Sequence, residues 1–275
     1  MRTLLLASLP VVVSGLVACK DAPAPQEPSG PRAQAPGKEE VYPTPAWAEQ
    51  PPDSWGTTSG SFEFHPVQHA TLWMKVGDKV VWVDPWSQAK LEGPKADIVL
   101  ITDVHGDHFD PEGLAAVRGP ETVVVAPKVV ADQVPGAVVL ANGEREQIGA
   151  LTIEAVAMYN RVRGPEAGKF YHDKGRGNGY VVSFGGARVY FSGDTECTPE
   201  MQALKDIDVA FVCMNLPYTM PPAEALGCVK AFRPKVLYPY HYRDSPLDEL
   251  TPGLAGSGVE LRLRDWYAAG SAAAK

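Results

Sequence analysis

The sequence predicts an α+β domain in which two mixed sheets are covered by helices. Short β-branched runs come first as hairpins and later alternate with helical segments, which is not the order of a single doubly wound sheet. The chain of 275 residues is 45% hydrophobic and 21% charged, a globular balance with room for one large domain or two small ones. A formal net charge of -8 leaves no general basic footprint, so no nucleic-acid partner is expected. No apolar run reaches the roughly 18 residues that a spanning helix needs.

The first residues read as an address. Arg2 supplies a short positive start, and Leu4 to Ala18 is apolar apart from Pro10, about the length of a signal peptide. The run ends in Leu16-Val17-Ala18-Cys19, which resembles the lipobox of bacterial lipoproteins. That resemblance implies removal of residues 1–18, acylation of Cys19, and a protein held on a membrane of the bacterial cell envelope through its lipid. An ordinary secretory peptide with an incidental cysteine is the other reading, and Lys20 leaves the choice of membrane open. Residues 19–57 read as a Pro/Ala-rich disordered tether: nine of the 26 prolines fall between 20 and 56, with no apolar periodicity. Trp47 and Trp55 are unusual in a spacer and are candidates to dock on the domain, expected over 58–275.

Within the domain, Thr71–Val76 and Val80–Asp84 form a hairpin about Gly77-Asp78. Ile98–Thr102, Thr122–Ala126 and Leu151–Ala157 follow as strands. Tyr180–Phe184 and Arg188–Ser192 form a second hairpin about Gly185-Gly186, and Val209–Met214 and Val236–Tyr240 close the series. Asp110-Pro111 and Thr198-Pro199-Glu200 each open a helix with a cap followed by proline, and Pro221–Phe232 and Pro246–Leu254 are two more helices. Tyr159–Asn178 has neither pattern, and long loops inside a domain are usually functional. This loop carries His172 and reverses the chain's sign, with Arg161, Arg163, Lys169, Lys174 and Arg176 against Glu166 and Asp173. After Cys19, the cysteines Cys197, Cys213 and Cys228 cannot all pair. Cys213 reads as a buried thiol, Cys197 as an unreactive neighbour of the site, and a Cys213–Cys228 bridge is the oxidised alternative.

The chemistry gathers at strand ends. Asp103, His105, Asp107 and His108 follow directly on the apolar strand Ile98–Thr102, Asp194 follows Arg188–Ser192, and His241 follows Val236–Tyr240. Ligands in α/β proteins sit beyond the carboxyl ends of strands, and mixed imidazoles and carboxylates suit zinc, manganese or iron. Taken alone, the first cluster also fits a polar loop with a helix cap; three tipped strands are harder to explain that way.

In this order the residues resemble the metallo-β-lactamase superfamily, whose pattern is His-x-His-x-Asp-His, a further His, a bridging Asp and a final His. More narrowly they resemble its ascorbate-6-phosphate lactonase-like branch, through His69, Asp84-Pro85, Tyr159-Asn160 and His172. The resemblance implies a four-layer αββα sandwich and two divalent metal ions, zinc before manganese or iron. It implies Asp103, His105 and His172 on the first ion, Asp107, His108 and His241 on the second, and Asp194 between them. It also implies that Asp107 handles the leaving group's proton. Asp103 stands where the pattern has histidine; a carboxylate is a harder, anionic ligand and by itself leaves a bound water less acidic. His69, Asp84 and Asn178 are placed around the ligands or against the substrate, with Tyr240 and Tyr242 as further walls, and His65 as a surface histidine. The function implied is hydrolysis of a small-molecule ester, lactone or phosphoester, with the basic loop favouring an anionic one. The alternative is an envelope lipoprotein that binds metal or a partner without catalysis.

Overall fold

The computed structural model describes residues 53–267. The expected signal peptide 1–18, Cys19, Trp47 and the tether as far as 52 lie outside the described residues. The first sheet consists of β1 (Asp53–Thr57), β2 (Gly60–Gln68), β3 (Thr71–Val76), β4 (Lys79–Val83), β5 (Ala96–Leu100), β6 (Arg118–Ala126) and β7 (Val138–Val139), side by side in that order. The second consists of β8 (Arg145–Ile148), β9 (Leu151–Met158), β10 (Gly177–Phe184), β11 (Ala187–Phe191), β12 (Val209–Cys213), β13 (Val236–Tyr240) and β14 (Glu260–Leu261), again in chain order. Both sheets follow one plan. β1 to β4 and β8 to β11 pair antiparallel, while β4 to β7 and β11 to β14 pair parallel.

The parallel connections carry the helices: α1 (Pro111–Val117), α2 (Lys128–Ala131), α3 (Pro199–Gln202), α4 (Pro222–Phe232) and α5 (Leu250–Leu254). The larger core lies between the sheets, where Phe62, Phe64 and Leu72 meet Ile153, Tyr180 and Tyr238, and the rings of Phe64 and Phe211 are 5.3 Å apart. A second core joins Trp82, Val99 and Val124 of the first sheet to Leu114 and Val117 of α1 and Val130 of α2. On the opposite side α4 covers the second sheet, with Phe232 6.0 Å from Tyr190. The layers therefore run helix, sheet, sheet, helix, the expected αββα sandwich. No helix among the described residues is long and apolar enough to cross a membrane.

The helix starts behave as their sequences say. The Asp110 side chain accepts from Glu112 N with Pro111 next, and Thr198 accepts from Met201 N with Pro199 next. α1 lies so close to the end of β4 that a Cβ on Gly113 would run into the Pro85 carbonyl. Gly113→Ala, which by helix propensity alone stabilises, is therefore expected to cost about 1–3 kcal/mol here, read by denaturant unfolding.

Several expectations are corrected. β1 occupies the last five residues assigned to the tether, and Trp55 lies within it. β2 was not among the expected strands, although Phe62 and Phe64 alternate toward the core; it holds Pro66, a residue that strands seldom carry. α5 begins at Leu250, not Pro246. The disulfide is Cys197–Cys228, with 5.5 Å between Cα atoms, and Cys213 is the buried free thiol. Cys213 lies on β12, whereas Cys197, just before α3, meets Cys228 where α3 and α4 pack together. Spacing along the chain holds no record of that approach.

Candidate metal centre

The parallel strands deliver the candidate ligands to one edge of the sandwich. β5 leads into Asp103, His105, Asp107 and His108; β11 leads into Asp194; β13 leads into His241. The β9–β10 loop adds His172 and the β2–β3 turn adds His69. Three groups of donor atoms converge: Asp103, His105 and His172; His108, Asp194 and His241; and His69, Asp107 and His241. Asp194 stands between them. Its Oδ2 is 3.4 Å from both His108 Nε2 and His172 Nε2, and its Oδ1 is 3.5 Å from His241 Nε2. Asp107 Oδ2 is 3.4 Å from His241 Nε2 and 3.1 Å from His69 Nε2.

The fit to cations rests on what these atoms lack. His108 Nε2, His172 Nε2, His241 Nε2 and Asp194 Oδ1 are buried and make no hydrogen bond. Buried polar atoms are rarely left so, and four that converge describe a space shaped for positive ions.

The far side of three of the imidazoles is well partnered, while that of His241 makes no hydrogen bond. His108 Nδ1 lies 2.8 Å from Asp84 Oδ2, and Asp84 also accepts from Thr102 N and Oγ1. His172 is held by Asn160 Oδ1, 2.8 Å from Nδ1 and 2.7 Å from the backbone N. His69 Nδ1 is 2.7 Å from the Tyr267 hydroxyl. Such partners set which ring nitrogen is free for an ion. Three of these residues, His69 (φ 59°), Asp84 (φ 44°) and His241 (φ 47°), have left-handed backbone, a strain concentrated at functional sites. Asp84→Asn is expected to weaken metal binding about 10–100-fold, measured by competition with a chelator.

Protonation suits the same reading. Burial pushes the His172 imidazole down to about 4 against the pull of Asp194 and Asp103, and burial together with His241 pushes His69 down to about 3. Burial alone would raise the carboxyls, but His241 and His108 hold Asp194 below its ordinary value. The His105 hydrogen bond and the charges of His108 and Arg176 likewise bring Asp103 to about 2. Ionised carboxylates and neutral imidazoles are the forms a cation binds. His108 differs: burial lowers it, but Asp194, Asp107 and Asp84 raise it well above the ordinary range. A cation must displace that proton, so uptake weakens as pH falls.

Other expected residues fall elsewhere. Asn178 turns away from the ligands: its side chain is taken by Leu140 O, the Tyr180 hydroxyl and Asn142, and its backbone N binds Thr102 O. It ties the two sheets together beneath the site. Tyr240 accepts from Gly193 N and so steadies the turn before Asp194. His65 lies flat on Trp73, ring centroids 3.6 Å apart. Of the loop's cations, Arg163 pairs with Glu224 and Glu196, Lys169 with Glu166, Lys174 with Glu200 and Arg176 with Asp103. Only Arg161 rests on a carbonyl, that of Cys197. Four of the loop's five cations are thus paired with the protein's own carboxylates, Arg163 and Arg176 in partly buried pairs and Lys169 and Lys174 at the surface.

Two residues were missed by sequence reasoning. Glu196 accepts from the backbone N of Arg161, Val162 and Arg163 and from Asn160 Nδ2, and so anchors the loop that carries His172. Arg176 grips Asp103 with two bonds, and its Nη2 lies 3.4 Å from His105 Nε2. Glu196 sits two residues past Asp194, which is a weak signal; Arg176 was visible only as one of five basic residues.

Fold and site together define an αββα sandwich with a His/Asp metal centre at its edge. The chain belongs to the β-lactamase superfamily domain family, which matches residues 63–241. A UPF0173 metal-dependent hydrolase of Pelotomaculum thermopropionicum is 30% identical over 200 residues, spanning 67% of this chain and 86% of that protein. A crystal structure from Parabacteroides distasonis, described as a metal-dependent hydrolase, is 41% identical with a TM-score of 0.74, spanning 78% of this chain and 98% of that one. The metallo hydrolase Igni18 of Ignicoccus hospitalis, at 21% identity and a TM-score of 0.59, shares the fold.

Proposed function

We propose that the protein is a dinuclear metal-dependent hydrolase acting on a small-molecule ester, lactone or phosphoester. The observation that carries this is the convergence of four unpartnered buried donor atoms on one space. Relatives named as metal-dependent hydrolases support it, and the residues that resemble the lactonase branch are the ground for including lactones. Asp103, His105 and His172 would hold one ion and Asp107, His108 and His241 the other, with Asp194 shared; zinc leads, with manganese or iron as alternatives. When bound, the ions supply an acidified water and positive charge for the oxygen of the electrophile.

The protein's own part follows from its geometry. Asp107, with a side chain 33% exposed, is the carboxylate of the set open to solvent. From there the ionised carboxylate would take up the proton that the attacking water gives up and hand it to the leaving group, while His69, steadied by Tyr267, fixes its orientation. The buried Asp84 and Asn160 keep two imidazoles aimed inward. Because the loop cations are paired, an anionic substrate draws its attraction from the metal centre rather than from the loop. A non-catalytic metal- or partner-binding role is disfavoured, since every ligand position is filled by a competent residue.

The test is elemental analysis of the full chain purified without chelator, in native and His108→Ala forms. About two equivalents of zinc, manganese or iron, lost in the variant, are expected; a native protein that takes up no metal even on reconstitution would sink the reading. We also place the protein on an envelope membrane through Cys19, on the lipobox-like segment alone. Cys19→Ser should release it into the soluble fraction, and retention after a salt wash would refute the anchor.

A further inference from the structure

An acid at position 103 brings a charge that a histidine would not. Asp103 is fully buried, and Arg176, 23% exposed, lays its guanidinium on it: Nε is 3.1 Å from Oδ1 and Nη2 is 2.8 Å from Oδ2. This is the two-pronged geometry of a strong arginine–carboxylate pair. The same Oδ2 lies 3.0 Å from His105 Nδ1 and 3.9 Å from His172 Nε2. A carboxylate oxygen has two lone pairs. Oδ2 therefore meets Arg176 with one and His105 Nδ1 with the other, and it is this second contact, beside His172, that a cation held by the three residues would replace.

We propose that Arg176 is a positioning and charge-balancing residue for the first cation site, so that Asp103 and Arg176 together act as one net-neutral ligand. The inference rests on the two-ion reading. The guanidinium is charged at any working pH and cancels the carboxylate, leaving this site the balance of a three-histidine one. The lowered acidity expected of a bound water beside a bare carboxylate is thereby offset. Both oxygens are also locked in place, as partners behind a metal ligand commonly do.

The test is a charge-swap cycle on the full chain, read by zinc content and by zinc affinity in chelator competition. Native protein is expected to hold two equivalents. Asp103→His, which leaves Arg176 unpaired beside a dication, is expected to bind the first ion at least about 10-fold more weakly. Asp103→His with Arg176→Met removes that charge and should recover the second equivalent, a coupling that only neighbouring groups show. Arg176→Met alone should tip competition from zinc toward manganese, since the carboxylate is then a full anion. The equivalent kept at Asp107, His108 and His241 reports folding in each variant. The inference is overturned if Asp103→His binds both ions as tightly as native protein, or if the double variant recovers nothing. Native protein holding fewer than two ions would instead overturn the two-ion reading.

Discussion

Asp194→Ala will lower hydrolysis by about a hundredfold to a thousandfold, the scale on which removing a preorganised charged group acts. Asp194 is the carboxylate that faces both halves of the site, with His108 and His172 each 3.4 Å from Oδ2 and His241 3.5 Å from Oδ1. On the two-ion proposal alanine removes the ligand that both ions would share, so both should be held more weakly. The fold should survive, because neighbouring groups hold the turn: Gly193 N donates to the Tyr240 hydroxyl, and Thr195 exchanges hydrogen bonds with the Tyr159 backbone. In chelator the variant should melt close to the native protein. With metal added, the native protein should gain more stability than the variant, since an ion stabilises the state that binds it in step with its affinity. Turnover of a phosphoester, lactone or β-lactam that persists in the metal-loaded variant would exclude Asp194 from the centre.

The second large effect is expected at Glu196, which touches no ligand. Its carboxylate accepts from three successive backbone N–H groups at 2.9, 3.0 and 2.7 Å, and Arg163 Nη1 lies 3.2 Å away. Glu196→Ala strands these three donors, while Arg163 keeps Glu224 as its partner. A donor left without an acceptor costs about 1–3 kcal/mol, and a total of about 3–5 kcal/mol in a domain of this size lowers the melting temperature by roughly 6–20 °C. Asn160, tied to Glu196 by its Nδ2, positions His172 by its Oδ1, so metal affinity should fall as well. Calorimetry in chelator isolates the structural cost, and chelator competition isolates the effect on the site. A melting temperature within about 2 °C of native would mean that water replaces the carboxylate and the loop is not anchored here.

The ligands were legible because strand tips advertise themselves: an apolar run followed at once by His or Asp says both where the chain turns and what waits there. Asp84, at the end of β4, and His172, on the long loop, were legible only through the family resemblance. Asn178 was misplaced because an asparagine at a strand start looks alike whether it faces the site or staples the two sheets, and only the Leu140 carbonyl opposite it decides. Arg176 and Glu196 were hidden for a deeper reason. Each acts through a partner some 70 or 35 residues distant, at separations of 73 and 33–36. A charge in a polar loop carries no mark of the carboxylate or amides it will meet. The Cys197–Cys228 bridge is the same case, joining a strand-end turn to a helix on the outer layer.

The two sheets take their strands in strict chain order, β1 to β7 and then β8 to β14, so the chain passes from one to the other once, near residues 140–144. A cut there would separate two fragments, each with a whole sheet and neither with a whole metal centre. Asp103, His105, Asp107 and His108 would stay with the first, and His172, Asp194 and His241 with the second. The fold thus resembles a split protein, whose halves are joined by an apolar seam. On the two-ion proposal the ions would span that seam, so metal binding would need both halves to be in place.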